Sequence, residues 1–324
     1  MRILIVRNNY NPKAIEASYL LETFFNEQGI EFATYNVDEL RSPSVIIDQD
    51  ASAGEPSFNL AVVLGGDGTI LCTAGQIRTQ RIPILGINFG HLGFMANPND
   101  AGVIAIVSAA LAGDVSVEAR TNLRVEVYCE DDVAAEDAGP VAADDEEAAA
   151  GSGVARSGSG LVIDPILKGE DTQPRQFFAL NEMVIARGDQ GRIIDFKYSI
   201  SGATMVDMRG DGLIVASATG STGYALSVGG PLVDPSFPGL VAVPIAPHTL
   251  QSRAVVTGAS DVVEIDLDAS VANRAATLFI DGERIELDSP VRKVVVATGD
   301  EPTLLLRYAP KSFYAHAADT FFKQ

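Results

Sequence analysis

Gly65-Gly66-Asp67-Gly68-Thr69 follows the apolar run Leu60–Leu64 and sets a single carboxylate among nearly bare backbone. Glycines let the main chain turn sharply and let a ligand reach backbone N–H groups with no Cβ in the way. In an open parallel sheet, ligands bind beyond the carboxyl ends of the strands, where this loop lies. Phosphates suit such N–H groups and the start of the helix that follows. A carboxylate facing phosphates must then serve otherwise, by binding a metal or by orienting and deprotonating a hydroxyl. Capping of the following helix is the competing role for Asp67, and the motif alone leaves both open. No GxxxxGK(S/T) occurs, no lysine lies near the loop, and the spacing misses GxGxxG. A P-loop and an ordinary dinucleotide dehydrogenase are thereby disfavoured.

A second constellation occupies residues 208–233, "MRGDGLIVASATGSTGYALSVGGPLV". Asp211 and Gly212 precede a short apolar run, after which Thr219, Gly220, Ser221, Thr222, Gly223 and Tyr224 crowd together. Small and hydroxylic positions in a row suit a site that grips sugar hydroxyls and phosphates. Asn181-Glu182 is a weaker signal, because neighbouring side chains on a strand point to opposite faces. Joint action on one ligand requires a strand end or a bulge there. His248, in "PHTLQSR", is by itself a lone loop histidine.

The elements that carry these residues divide the chain in two. Up to residue 113, apolar runs alternate with helical periodicity: strands at 2–6, 31–37, 60–64 and 83–87, and helices at 12–28, 69–78 and 100–111. Ala17, Leu20, Leu21 and Phe24 mark the apolar face of the first helix, and Gly29 and Gly113 stand where helices end. This is the pattern of a doubly wound parallel sheet with helices on both faces. From 114 to 300 the period changes to two, with strands at 123–129, 193–200 and 262–269 and an Asp281-Gly282 hairpin within 276–287. A β-rich, sandwich-like domain is expected there. It is interrupted by residues 130–176, which hold 12 acidic against 3 basic residues and few large apolar side chains. Ordering costs ~1–2 kcal/mol per residue for backbone alone, so this insert is expected to be disordered, with an Ala/Glu helix at 142–150 as the alternative.

Net charge is −20 over 324 residues, of which the insert carries −9 and the remainder −11. That balance argues against nucleic-acid binding, which needs a basic face. No apolar run approaches the roughly 20 residues of a membrane helix. The opening "MRILIV" reads as a strand rather than a signal peptide. Cys72 and Cys129 form no CxxC, and the three histidines share no metal motif. A soluble cytoplasmic protein is expected.

Taken together, "GGDGT" (65–69), "GINFGHLGF" (86–94), "NE" (181–182), "GDGLIVASATGSTGY" (210–224) and "PHTLQSR" (247–253) resemble the NAD kinase family, in its order and across both domains. The resemblance implies phosphorylation of the 2′-hydroxyl of NAD's adenosine ribose, using ATP or polyphosphate with Mg2+ or another divalent metal carried by the donor. It implies that Asp67 is the base, that Gly68 is a substrate contact, and that Asn181 and Glu182 lie at the adenine and ribose side of NAD. Asp211 and Thr222, Gly223, Tyr224, Ala225, Leu226 and Ser227 would contact the rest of the dinucleotide. Arg192, Arg209, His248 and Glu283 would line the site. It further implies a tail (301–324) returning to the first domain and a homo-oligomer, dimer or tetramer. The chain departs from the family pattern at Cys72, where a basic residue is frequent, at Gly223, where Ala is usual, and at Glu283, where Gln is common. A lipid or sphingoid kinase sharing GGDGT, and a non-catalytic NAD(P)-binding sensor, are the alternative readings.

Overall fold

A computed structural model describes residues 1–41, 57–132, 174–189, 191–249, 252–267, 270, 273–310 and 312–323. The first unit runs β1 (Arg2–Arg7), α1 (Pro12–Gln28), β2 (Glu31–Asn36), α2 (Val37–Leu40), β3 (Leu60–Leu64), α3 (Asp67–Gln76), β4 (Ile84–Ile87), α4 (Val103–Ala112) and β5 (Ser116–Arg120). The second holds β6 (Leu123–Cys129), β7 (Arg175–Ala179), β8 (Glu182–Ala186), β9 (Ile194–Ile200), β10 (Ala203–Gly210), β11 (Gly212–Ala216), α5 (Tyr224–Ser227), β12 (Val241–Ile245), β13 (Val255–Val256), β14 (Val263–Leu267), β15 (Thr277–Ile280), β16 (Glu283–Ile285) and β17 (Val291–Thr298). β18 (Thr303–Arg307) and α6 (Phe313–Ala317) end the chain, with a π turn at Ala318–Phe322.

Local signals explain the helix ends. Asn11 accepts a hydrogen bond from the Lys13 N–H and Pro12 occupies the first turn, while Gly29 closes α1 at φ 65°. Gly113 ends α4 in the same left-handed way, at φ 82°. The buried face of α1 is Ala14, Ala17, Ser18, Leu21 and Phe25; Leu20 points to solvent, so the apolar stripe lies one step round from its expected position.

The first sheet has the order β2-β1-β3-β4-β18-β5. Its neighbours pair in parallel except β18 with β5. Both faces are buried, with α1 and α4 on one side and α3 on the other. The stretch 116–120 therefore belongs to the first sheet, although the sequence periodicity assigned it to the second domain. The second unit is a sandwich of two six-stranded sheets, β10-β9-β14-β17-β6-β7 and β13-β12-β11-β8-β15-β16, which share one core. Asp281 (φ 49°) and Gly282 (φ 81°) make the β15–β16 hairpin turn. Leu180 and Phe178 of this unit pack into the α3 face of the first sheet, which fixes the two units against each other. Of the expected disordered insert, 133–173 lie outside the described residues. Its edges are structured: Arg175 and Gln176 belong to β7, and Arg175 pairs with Asp131 and Asp132.

Candidate active site

β3 delivers the chain to Gly65, where a Cβ would stand 2.4 Å from the Thr69 hydroxyl, so only glycine fits the turn. Gly66 is the N-cap of α3 and Asp67 its first residue. The capping role is therefore taken by Gly66, and the Asp67 carboxylate is turned to another partner. Its Oδ2 accepts from the Phe94 N–H at 2.8 Å and its Oδ1 from the Met95 N–H at 3.2 Å. Gly93 makes this approach possible, since a Cβ there would lie 2.1 Å from Oδ2. The loop that brings these groups is pinned at its base: Asn97 donates from Nδ2 to the Gly86 and Leu306 carbonyls, and the Asn88 N–H bonds the Asn97 carbonyl. Each Asp67 oxygen keeps a lone pair for a further donor.

The Asn181-Glu182 pair sits at a strand end, as joint action on a ligand demands: β8 begins at Glu182. The turn into it is held by Asp281, whose carboxylate accepts from the N–H groups of Leu180 (2.7 Å), Asn181 (2.7 Å) and Glu182 (3.1 Å). Burial pushes Asp281 up to about 6, although those three N–H groups pull the other way. Burial, with the Asp281 charge beside it, pushes Glu182 up to about 7. Asn181 Oδ1 and Glu182 Oε2 are buried and have no hydrogen-bond partner among the described residues. Buried acceptors of this kind invite a donor from a ligand. Gly223 leaves room beside them; a Cβ there would stand 2.9 Å from Glu182 Oε2.

A cleft of about 320 Å³ opens between α3 and the β15–β16 hairpin, lined by Gly68, Leu71, Cys72, Phe178, Asp281 and Glu283. The exposed Gly68 backbone and the Asp281 turn thus face one space. Glu283 pairs with Arg41 at 3.1 Å on its rim. Burial pushes the Cys72 thiol up despite Arg41 nearby, so a basic side chain is replaced here by a neutral one. The tail seals the far side of the Asp67 loop. The ring of Phe94 stacks on Phe321 at 5.5 Å and meets His316 edge-on at 4.6 Å, and His316 Nε2 bonds the Gly93 carbonyl at 3.0 Å.

Other expected site residues distribute differently. The hydroxyls of the 217–222 run are engaged within the fold: Ser217 donates to the Leu180 carbonyl, Thr222 to the Thr219 carbonyl, and Thr219 accepts from Arg120. Packing, more than ligand binding, accounts for their density. Ala225 is fully buried with Ile214 and Val241 in one apolar cluster, so its side chain faces the core and only its backbone is left to meet a ligand. Tyr224 and Ser227 are exposed, and Leu226 is half-buried. Arg192, Arg209, Asp211 and His248 gather at the opposite end of the β8–β11 ladder from Glu182. Glu182 pairs with Ala216, whereas Gly212 pairs with Ala186, four steps or ~14 Å along the strand. There Arg209 pairs with Asp195 at 2.7 Å, Asp211 with Arg187 at 3.1 Å, and the His248 N–H bonds the Arg209 carbonyl. Gly93, Phe94, Met95 and Asp281 were missed as site residues. Three of them act through backbone, which carries no sequence signature, and the turn signal of Asp281-Gly282 masked its second use.

Residues 3–115 match the model of the ATP-NAD kinase N-terminal domain, and residues 180–308 that of the ATP-NAD kinase C-terminal domain. The chain belongs to the NAD kinase family. Among curated family members, NAD kinase of Thermococcus kodakarensis is 29% identical over 95% of this chain and 94% of its own. NAD kinase of Cupriavidus pinatubonensis is 33% identical over 79% of this chain and 70% of its own. Two solved structures share the fold: yeast NADH kinase complexed with NADH (TM-score 0.73, 19% identity, 99% of this chain and 87% of that one) and an NAD kinase from Archaeoglobus fulgidus in complex with ATP (TM-score 0.62, 20% identity, 94% and 93%). The two NAD kinase matches divide the site between them. Asp67 and its loop lie in the first, and Leu180, Asn181, Glu182 and Asp281 in the second.

Proposed function

We propose that this chain phosphorylates NAD in the cleft between α3 and the β15–β16 hairpin, with Asp67 acting on the 2′-hydroxyl of the adenosine ribose. The hydroxyl proton passes to the Asp67 carboxylate, the oxygen attacks the donor's terminal phosphorus, and the bond to the leaving phosphate oxygen breaks. Phosphoryl transfer asks mainly for positioning and charge stabilisation, and the two N–H groups that orient Asp67 are the observation that carries this reading. The orphaned acceptors on Asn181 and Glu182 suit the adenine amino group and a ribose hydroxyl. A Glu182 carboxyl that titrates near 7 can also donate to an acceptor.

The donor is ATP or polyphosphate, and its divalent cation belongs to the substrate. In support, the glycine loop offers Asp67 alone. Among the described residues, the one cluster of three metal-capable side chains is Cys129, Asp131 and Asp132, where Arg175 already pairs with both carboxylates. Such a cation, Mg2+ for instance, would supply charge stabilisation that a lysine-free loop lacks.

Arg192, Arg209, Asp211 and His248 serve the site of a neighbouring copy, which makes the working unit a homo-oligomer, dimer or tetramer. Support comes from their distance along the ladder from Glu182 within one chain, and Arg209→Ala should raise the KM for NAD. A cytoplasmic location fits the two unpaired cysteines, and no helix among the described residues is long and apolar enough to cross a membrane. The test is a panel of ATP and polyphosphate against NAD and a sphingoid base, with the product identified as NADP. Phosphate appearing on a sphingoid base instead, or NAD bound with no transfer from either donor, would contradict the reading.

A further inference from the structure

Both halves of the site are braced from behind by three charged side chains that do not line the cleft. β5 and β18 lie antiparallel, with Glu118 opposite Leu305 and Arg120 opposite Thr303. Leu305 packs in the α3-side core, so Glu118, Arg120 and Arg307 share the sheet face that turns toward the second unit. Glu118 Oε2 accepts from Arg120 through Nε (3.1 Å) and Nη2 (2.5 Å), and Glu118 Oε1 lies 3.5 Å from Arg307 Nε. The guanidinium groups are largely hidden, with side-chain exposures of 4% for Arg120 and 14% for Arg307.

Each arginine reaches one wall of the site. Arg307 Nη1 donates to the Met95 carbonyl (2.5 Å) and the Ala96 carbonyl (3.3 Å), directly behind the Met95 N–H that holds Asp67. Arg120 Nη1 donates to Thr219 Oγ1 at 3.3 Å. Thr219 opens the tight turn Thr219–Thr222, in which Gly220 abuts the Asn181 backbone and beyond which Gly223 abuts the Glu182 carboxylate. Two like charges this close and this dry repel unless a carboxylate stands between them. Consistent with that, burial and the Arg120 charge lower the Arg307 guanidinium, while Glu118 lifts it.

We infer that Glu118 is a positioning residue for phosphoryl transfer: by bridging Arg120 and Arg307 it locks the loop that aims Asp67 to the turn that backs Asn181 and Glu182. The inference rests on the reading of Asp67 as the group that takes the hydroxyl proton. Removing the carboxylate leaves two buried cations to separate, and the Met95 peptide and the Thr219 turn move with them. The chemical step should suffer more than NAD binding, because the orphaned acceptors stay on their own turn, held by Asp281.

The experiment is a double-mutant comparison by single-turnover transfer of labelled phosphate to NAD, with NAD affinity and melting measured alongside. Glu118→Gln should lower the transfer rate ~10–100-fold in the parent and less than ~2-fold in an Asp67→Asn background, since the group it aims is already gone. NAD affinity should stay within ~3-fold. Arg307→Lys, which keeps the charge but loses the guanidinium that reaches the Met95 and Ala96 carbonyls through Nη1 and Glu118 through Nε at once, should behave likewise. It carries the test by the same criteria if Glu118→Gln does not fold. Equal loss in both backgrounds, or at least half the parent rate for the folded variants, overturns the positioning role. Full turnover by Asp67→Asn alone would instead overturn the base assignment beneath it.

Discussion

Gly93→Ala probes the Asp67 cradle without replacing any functional side chain. A Cβ at 93 would lie 2.1 Å from Oδ2, 2.4 Å from Cγ and 2.5 Å from Oδ1 of Asp67, so the whole carboxylate has to leave. Both N–H bonds from Phe94 and Met95 are then lost. Hydrogen bonds to a charged group are worth ~1.5–3 kcal/mol each, but Asp67 is half-buried and water replaces much of that. The expected stability cost is therefore ~1–3 kcal/mol. The kinetic cost is larger, because a base out of reach forfeits the ~10²–10⁴-fold that general-base catalysis supplies. Steady-state formation of NADP should show kcat down by at least ~100-fold with the KM for NAD within ~3-fold. Gly90→Ala is the control: nothing lies within 4 Å of its Cβ position, and it should be silent. A Gly93→Ala protein that keeps a third of parental turnover, or a Gly90→Ala protein that loses as much, would show that the cradle does not aim the base.

Three further outcomes follow from the same contacts. Glu182 is raised from the ordinary 4.5 to about 7, so between those values the native state holds a proton that the unfolded chain releases, and stability falls as pH rises through that window. The displacement corresponds to ~3 kcal/mol; Glu182→Gln should be relatively more stable by about that much at pH 8 than at pH 4 in urea unfolding, and a parallel pH profile would contradict it. Asp281→Ala strands three N–H groups and should cost ~3 kcal/mol or more of stability and weaken NAD binding, read from the urea midpoint and by calorimetry. Replacing residues 133–173 with a ~5-residue turn joins β6 and β7, which are antiparallel neighbours, and shortens a closed loop by an amount worth ~2 kcal/mol. That variant should keep activity within about twofold and melt no lower; a melt many degrees lower would mean the segment contributes packing.

What the sequence made legible were features written locally. The helix ends at Gly29 and Gly113 and the hairpin at Asp281-Gly282 follow from backbone freedom at single residues. The glycine loop after Leu60–Leu64 was visible because a buried strand and a bare turn adjoin in the chain. The Asn181-Glu182 pair remained ambiguous until the start of β8 fixed it as a strand end. Residues 116–120 were misplaced because a strand that closes the edge of the first sheet alternates just as a sandwich strand does. Long-range contacts left no local mark: Gly93 meets Asp67 across 26 positions, and Glu118 meets Arg307 across 189. Ala225 was carried into the site with the whole stretch 222–227 by the family resemblance, whereas its own side chain turns into an apolar core.

Everything proposed for the chemistry depends on Asp67, held by the Phe94 and Met95 N–H groups, activating the 2′-hydroxyl of NAD. Single-turnover transfer of labelled phosphate from ATP or polyphosphate to NAD by Asp67→Asn puts this to trial, with NAD binding followed by calorimetry. Asparagine keeps the size and one acceptor oxygen but cannot take the proton. NAD should still bind, the product of the parent should carry phosphate at the 2′ position, and transfer by the variant should fall at least ~100-fold. Transfer at a third or more of the parental rate would show that Asp67 is not the base.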